Sequence, residues 1–272
     1  MKGEQIMSSK FRFACHLITW AGEQRENPEK VLSEVAAAGY EGVEGLSVRS
    51  AEELVEMAAL AARYNLHIVN AGGSTPEASI KHNVTLGNNA AEAPSCRRSE
   101  FGGPDPTDAD FVKAAESLKA IIAYAQEYSV KPFHHAHRGT MIETVEDAEK
   151  LLKAAPGLYL LFDTGHLLCC GSDPIKVFDN LEDRIGHVHL KDFVAEDPKT
   201  WNNRTSKWME DGRFEELGKG NMGFDVKAIL DGLKDVGYDG WISVEQDQAT
   251  HHSPAETAKV NMEYLKSLVF GS

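Results

Sequence analysis

The chain has 272 residues and carries 42 acidic against 28 basic side chains, which gives a net charge of −14 at pH 7. This excess of acid argues against nucleic acid and anionic membranes as partners, and no apolar run approaches the roughly 20 residues of a membrane span. Residues 1–10 lack the apolar segment of a signal peptide, and the four cysteines follow no disulfide or metal-binding pattern, so we expect a cytoplasmic protein whose first ten residues are disordered.

Predicted strands and helices alternate along the first half of the chain. Asn27 is an N-cap followed by proline at the first helical position, Ser50 is a second N-cap, and Gly39 is a helix stop signal. The apolar patterns predict strands at residues 11–20, 40–46, 66–71 and 94–100. They predict helices at residues 28–39, 51–65, 76–92 and 108–129.

The second half of the chain repeats this alternation with stronger signals. Strands are predicted at residues 130–137, 158–163, 185–192 and 240–245, and helices at residues 144–155, 173–181, 224–236 and 254–268. A longer polar insert at about residues 199–223 follows the seventh predicted strand, and it contains Trp201, Arg204, Trp208 and Arg213.

Eight strand–helix units at roughly 30-residue spacing indicate parallel βαβ units. Eight such units in about 250 residues are the size of a closed barrel. We therefore predict an α/β fold, a single (β/α)₈ TIM barrel over residues 11–272. The alternative is an open doubly wound sheet, which is disfavoured because no Gly-x-Gly-x-x-Gly phosphate loop follows the first predicted strand.

Polar side chains collect at the predicted carboxyl ends of the strands, where a barrel of this kind places its active site. At least seven of the 11 histidines fall at these ends. Trp20 ends the first strand and is a candidate platform for stacking on a sugar. The later strands offer Glu44, Glu100, the histidine-rich residues 134–138, Asp163, His166, His187, His189, Lys191 and Glu245.

The predicted strand at residues 185–192 carries polar side chains at alternating positions. Side chains two apart on a strand point to one face, so His187, His189 and Lys191 share a face. Such groups inside an apolar strand cost desolvation free energy unless something binds them. An edge strand with solvated histidines is the alternative interpretation of this segment.

The candidate ligands at the strand ends are mostly carboxylates, with one or two imidazoles. This combination suits a divalent ion such as Mn²⁺, Mg²⁺ or Co²⁺, and Zn²⁺ also accepts it. Such an ion acts as a Lewis acid on a carbonyl and its neighbouring hydroxyl. The adjacent C–H is then acidified, and a carboxylate or a histidine can remove its proton.

Four ordered motifs resemble one protein family. They read Leu-Phe-Asp-Thr-Gly-His at 161–166, Gly-His-Val-His-Leu-Lys-Asp at 186–192, Leu-Gly-Lys-Gly at 217–220, and Gly-Tyr-Asp-Gly at 237–240 with Val-Glu at 244–245. In these motifs the chain is similar to the sugar-phosphate isomerase/epimerase family of xylose-isomerase-like TIM barrels. The resemblance implies a metal held by an acid on strand five and by Asp163, His189 and Glu245. It further implies that His166 and Lys191 contact the substrate, and that the protein is a homo-oligomer, a dimer or tetramer.

The fifth predicted strand departs from the pattern that this resemblance implies, which places a glutamate there. Residues 130–140 contain no acid and read His-His-Ala-His-Arg at 134–138, similar to the histidine-rich strand of inosose dehydratases. We therefore expect His135 to be the fourth metal ligand, with Glu100 as the alternative. His137 and Arg138 are expected to contact the substrate.

One carboxylate combined with histidines suits removal of an α-proton with loss of a β-hydroxyl, because histidine can donate a proton near neutral pH. Glu245, His135 and His166 are therefore the predicted catalytic residues of a metal-dependent dehydratase or related lyase on a keto-cyclitol or keto-sugar. A sugar isomerase or epimerase of the same fold is the main alternative, and a non-catalytic sugar-binding barrel is a further one. A metal nuclease is disfavoured by the acidic charge.

The insert at residues 199–223 follows the seventh strand and is therefore expected on the active-site face. We predict that it forms a lid or a subunit contact and shapes substrate choice.

Overall fold

Eight parallel strands form the centre of the fold in a computed structural model that describes residues 11–46 and 48–270. They are β1 (Arg12–His16), β2 (Gly42–Glu44), β3 (His67–Ile68), β4 (Ala90–Glu92), β5 (Lys131–His135), β6 (Tyr159–Asp163), β7 (Ile185–Leu190) and β10 (Trp241–Val244), while β8 (Asp192–Ala195) and β9 (Gly212–Glu215) pair separately. The predicted α/β TIM barrel is confirmed. The prediction for residues 1–10 lies outside the described residues.

Helices follow the barrel strands and cover the sheet. They are α1 (Glu23–Glu26), α2 (Pro28–Ala38), α3 (Ala51–Arg63), α4 (Pro76–Leu86), α5 (Asp108–Glu127), α6 (Val145–Ala154), α7 (Thr164–Cys169), α8 (Pro174–Leu181), α9 (Val226–Asp235) and α10 (Pro254–Phe270). The predicted caps operate as expected, since the Asn27 and Ser50 side chains accept hydrogen bonds from backbone N–H groups of the first turn. No helix of the described ranges is long and apolar enough to cross a membrane.

The barrel strands are hydrogen-bonded in the order β3-β2-β1-β10-β7-β6-β5-β4, so β3 and β4 are the two ends of the ladder. A side chain spans the seam between them. Asn70, which follows β3, accepts a hydrogen bond at Oδ1 from the Glu92 backbone N–H at 3.2 Å. Asn70 has φ 47°, a left-handed conformation that asparagine tolerates better than most residues.

The fourth strand is displaced from its predicted position. The structure places it at Ala90–Glu92, inside the predicted helix 76–92, and residues 94–100 form a loop with one isolated bridge at Arg97. The helix ends at Leu86 because Gly87 adopts a left-handed C-cap with φ 77°. The prediction of strand 94–100 is therefore wrong, and with it the placement of Glu100 at a strand end.

The segment after β7 forms an antiparallel hairpin of β8 and β9. Its apolar side chains build a small cluster of their own, in which Phe193 and Phe214 are buried and Trp201 and Trp208 pack at the edge. The insert predicted at residues 199–223 thus contains most of the loop between β8 and β9, β9 itself and the segment that follows it. The additional structure begins earlier than predicted, at Asp192.

Candidate functional site

Three ligand-type side chains from neighbouring strands meet inside the barrel mouth. Asp163 ends β6, His189 lies on β7 and Glu245 follows β10, and their donor atoms lie within 4.8 Å of one another. His189 Nδ1 is 2.6 Å from Glu245 Oε2 and 3.5 Å from Asp163 Oδ2. All three residues are at most 6% exposed. The structure therefore brings together three of the predicted metal ligands.

The His189 ring shows that this cluster suits a cation. Both of its nitrogens are buried and lack an aligned hydrogen-bond partner among the described residues, although carboxylate oxygens surround them. Buried polar groups are normally hydrogen-bonded. Two carboxylates and an imidazole also match the donor preference of a divalent ion. The residues present therefore fit the metal that the sequence predicts.

His135, at the end of β5, joins the same cluster. Its Nε2 lies 3.1 Å from Asp163 Oδ2, and its ring centroid lies 5.1 Å from that of His189. Beyond it, Glu92 Oε1 lies 4.0 Å from His135 Nδ1. His135 thus lies where the fourth ligand is predicted, and that role stays a prediction.

The motif at residues 163–166 builds this part of the site. Asp163 uses Oδ1 to cap α7 by accepting the His166 N–H at 2.8 Å, which leaves Oδ2 toward the histidines. Thr164 Oγ1 lies 2.7 Å from the Lys191 carbonyl and 2.9 Å from its N–H. Gly165 is required because a Cβ there would lie 2.6 Å from Lys191 Cγ. The motif therefore orients one acid and makes room for one lysine.

A second motif fixes the chain immediately after β7. Asp192 Oδ2 accepts the N–H groups of Gly218 and Gly220 at 2.9 and 3.0 Å. A Cβ on Gly220 would lie 1.9 Å from Asp192 Oδ1, so only glycine permits this approach. The Leu-Gly-Lys-Gly motif at 217–220 thus holds the β7 end from which Lys191 projects.

Lys191 is buried at 1% exposure and forms a charged hub. Its Nζ lies 2.7 Å from Glu245 Oε1, 2.6 Å from Asp247 Oδ1 and 3.3 Å from His166 Nε2. The same ammonium lies 3.9 Å from the centroid of the Phe214 ring. Burial would lower the pKa of Lys191, but Glu245, Asp163 and Asp247 raise it above its usual range. Lys191 is therefore charged.

The two site acids are ionised. Burial alone would raise the pKa of Asp163 and of Glu245. The charge of Lys191 and the neighbouring histidines outweigh burial and hold both pKa values well below their ordinary range. Both carboxylates therefore carry the negative charge that a metal ligand needs.

His166 and His137 form a ring pair beside the cluster, with centroids 3.6 Å apart. Burial and the charge of Lys191 hold the pKa of His166 well below its ordinary value, and burial lowers the pKa of His137 to about 4. The Lys191 ammonium donates to His166 Nε2, which assigns the His166 proton to Nδ1. That buried Nδ1 has no partner in the described part of the chain, so it is a free donor.

Three residues that the sequence predicts for the site make contacts other than those expected. Glu100 is exposed in the 94–100 loop, where its carboxylate accepts the Arg97 N–H, so it is no alternative to His135. Trp20 is 4% exposed and packs in the main core, and its Nε1 donates to Glu34 at 2.7 Å. It therefore does not offer the open ring face expected of a sugar platform. Arg138 binds the insert, donating to the Asn203 carbonyl at 2.9 Å.

Four residues outside the predicted site set border it. Glu44 ends β2 with Oε1 3.1 Å from His189 Nε2, and the His16 ring centroid lies 5.6 Å from that of His189. Glu92 and Asp247 contact His135 and Lys191 as described above. The sequence signal for Glu44, His16 and Glu92 is their position at or next to a strand end. Glu92 was missed because its strand was assigned to a helix.

Comparisons with known proteins identify the relatives of this chain. A model of the xylose isomerase-like TIM barrel family matches residues 32–268. An inosose dehydratase of Lacticaseibacillus casei is 32% identical over 168 residues, which cover 60% of this chain and 56% of that relative, so the chain spans about half of its length. An inosose dehydratase of Clostridium perfringens is 28% identical, with 96% of this chain and 98% of the relative covered.

Solved structures show the same fold. The D-allulose 3-epimerase of Methylomonas sp. superposes with a TM-score of 0.71 at 16% identity, covering 96% of this chain and 99% of that one. At that identity the likeness concerns the fold alone. Together with the family match over most of the chain, it leads to one conclusion: the chain belongs to the xylose isomerase-like TIM barrel family.

Proposed function

We propose that the protein is a divalent-metal-dependent dehydratase that acts on a keto-cyclitol or a keto-sugar, by abstraction of a proton next to the carbonyl. The observation that carries the proposal is the position of His135. His135 ends β5, where the sequence offers no acid, and lies 3.1 Å from Asp163 at the end of β6, while Glu245, which follows β10, supplies a carboxylate. The full-length likeness to an inosose dehydratase supports this reaction class and suggests inosose as the first substrate to try.

The protein side chains divide into a metal-holding set and a proton-handling set. Asp163, His189, Glu245 and His135 would hold a divalent ion, with Mn²⁺, Mg²⁺ or Co²⁺ favoured over Zn²⁺. When bound, the ion supplies Lewis-acid polarisation of a substrate carbonyl and its neighbouring hydroxyl. His166, His137 and Lys191 lie beside this set and would contact the substrate.

Proton removal falls to Glu245 in this proposal. A carboxylate takes the proton from the carbon next to the carbonyl, and the electron pair moves into the new C=C bond as the β-hydroxyl departs. The His166 Nδ1–H, which has no partner within the described ranges, donates its proton to the departing hydroxide to form water as Nε2 takes a proton from the Lys191 ammonium, so the ring stays neutral.

Lys191 links the two ends of this proton transfer. Its Nζ lies 2.7 Å from Glu245 Oε1 and 3.3 Å from His166 Nε2. The proton gained by Glu245 can therefore pass to Lys191 and restore its ammonium, while His166, left with its proton on Nε2, regains the Nδ1–H form by proton exchange with water before the next cycle. The balance is one substrate C–H and one C–OH lost as one water.

The reaction class is tested with the Mn²⁺-loaded protein in deuterated water, using inosose and a panel of ketoses. Loss of water with an unsaturated or diketone product supports the dehydratase. An isomeric product carrying solvent deuterium refutes it. Asp163→Asn is expected to remove activity, whereas Glu210→Gln, at a side chain 67% exposed in the insert, is the matched control and is expected to retain it.

A sugar epimerase or isomerase is the second candidate, and Glu92 is the observation that favours it. This carboxylate lies 4.0 Å from His135, so a second acid is available across the cluster from Glu245. Two carboxylates suit proton removal on one face of a carbon and proton return on the other. In the deuterium experiment, Glu92→Gln is expected to abolish exchange if this candidate is correct, and to leave water loss intact if it is not.

Several earlier expectations remain part of the proposal. The substrate is a small sugar or cyclitol, with nucleic acid and membranes disfavoured by the acidic charge. A homo-oligomer and a cytoplasmic location stay predictions. The insert contacts the strand-five loop, since Arg204 lies 2.8 Å from Glu143, and this supports its predicted role as a lid.

A further inference from the structure

Glu44 is a buried carboxylate beneath the ligand cluster, and it is 1% exposed. It accepts hydrogen bonds from Asn70 Nδ2 at 2.7 Å, from His187 Nε2 at 2.8 Å and from the Ser243 hydroxyl. Three donors from three different strands or strand ends therefore fix its position. A buried charge costs free energy unless it is paired and hydrogen-bonded, and these three donors meet that requirement.

The two nitrogens of His189 face opposite neighbours. Nδ1 lies 2.6 Å from Glu245 and 3.5 Å from Asp163, on the side of the proposed ion. Nε2 lies 3.1 Å from Glu44 Oε1. The ring is thus placed between the ligand carboxylates and Glu44.

We propose that Glu44 is a positioning residue for the metal site: it lies 3.1 Å from His189 Nε2, accepts that N–H when an ion on Nδ1 orients the ring, and so presents Nδ1 to the ion. The inference rests on the proposed metal at Asp163, His189 and Glu245. A ligating histidine uses one nitrogen and commonly donates the other N–H to a carboxylate, which fixes its tautomer and raises its basicity. Asn70, His187 and Ser243 then hold the carboxylate in place.

An ion bound by Glu44, His187 and His189 is the competing interpretation, since their donor atoms also lie within 4.8 Å of one another. The geometry favours the positioning role. Glu44 Oε2 already accepts from His187 and Ser243, and Oε1 accepts from Asn70. An ion there would displace these hydrogen bonds. On the other side of the ring, His189 Nδ1 already faces the carboxylates of Asp163 and Glu245.

The first test is the dissociation constant for Mn²⁺ alone, measured by equilibrium dialysis on the metal-stripped full-length chain. Glu44→Gln keeps the shape and removes the charge, and it is expected to weaken Mn²⁺ binding about 10- to 100-fold. Glu216→Gln is the matched control, because Glu216 is equally buried and lies 2.7 Å from His252 outside the site. It is expected to bind Mn²⁺ like the wild type.

The second test needs no variant and so is independent of any folding defect. In the Zn²⁺-loaded wild type, long-range ¹⁵N–¹H spectra are expected to show His189 with Nδ1 on the metal and a proton on Nε2. Metal on Nε2, or Mn²⁺ affinity in Glu44→Gln equal to that of the wild type, overturns the positioning role while leaving the metal site intact. A wild type that binds neither ion overturns both this inference and the proposed function.

Discussion

Replacing Lys191 by methionine tests the charged hub of the site. Methionine keeps a long unbranched chain that can pass Gly165 and lie against Phe214, so the change removes mainly the ammonium. Glu245 and Asp247 then lose a partner at 2.7 and 2.6 Å. The substitution is expected to destabilise the fold and to abolish turnover.

The size of the expected loss of folding stability follows from the burial of Glu245 and Asp247. Breaking a buried ion pair by removing one partner costs about 3–5 kcal/mol, because an unpaired charge is left behind. Asp247 is 37% exposed in its side chain and is screened by water, so Glu245, at 6%, accounts for most of the effect. At about 2–4 °C per kcal/mol for a domain near this size, the melting temperature is expected to fall by roughly 6–20 °C.

The assay is urea unfolding and thermal melting in EDTA, so that no bound ion compensates for the lost charge. Glu245→Gln combined with Lys191→Met removes both partners, and the double variant is expected to be more stable than Lys191→Met alone. The reasoning is refuted if Lys191→Met lies within 1 kcal/mol of the wild type, or if the two substitutions are additive.

Three further changes test the insert and one helix. Arg204→Ala removes a partner of Glu143 at 2.8 Å and is expected to speed proteolysis of the insert, whereas Lys207→Ala, at a side chain 71% exposed, is expected not to. Gly212→Val would place Cβ 2.5 Å from Trp201, so we expect a loss of about 1–3 kcal/mol and altered tryptophan fluorescence. The pKa of Asp110 is lowered to about 2 by hydrogen bonds from Thr107. Its stabilising effect is therefore present above its ordinary value of 3.8 and is lost as the pH falls through about 2. The urea midpoints of Asp110→Asn and the wild type should differ at pH 7 and converge as the pH falls to about 2.

The barrel could be predicted because its strands and helices alternate with clear caps, but the fourth strand could not. Ala90, Ala91 and Glu92 are strong helix formers, and they become a strand only through parallel pairing with Lys131–Phe133 of β5. Local propensity carries no information about that distant partner. Gly87, which adopts a left-handed cap, and the following Asn88 and Asn89 were the local signs that the helix had ended.

The candidate site was predictable where a single strand carried its own signal. Alternation within residues 185–192 placed His187, His189 and Lys191 on one face, and His187 and His189 both contact Glu44. The hub around Lys191 was not predictable, because its partners come from three separate segments that only the closed barrel brings together. Nor did the sequence reveal that the Arg138 side chain binds the insert.

The amide of Asn70 has a consequence for how the barrel and its ligand cluster form. Its Oδ1 joins the β3 and β4 ends, and its Nδ2 holds Glu44. One amide group therefore contacts both places. A fluctuation that separates β3 from β4 also removes a hydrogen bond from the Glu44 carboxylate beneath His189. Closure of the barrel between β3 and β4 and the positioning of Glu44 beneath His189 are therefore coupled through one side chain.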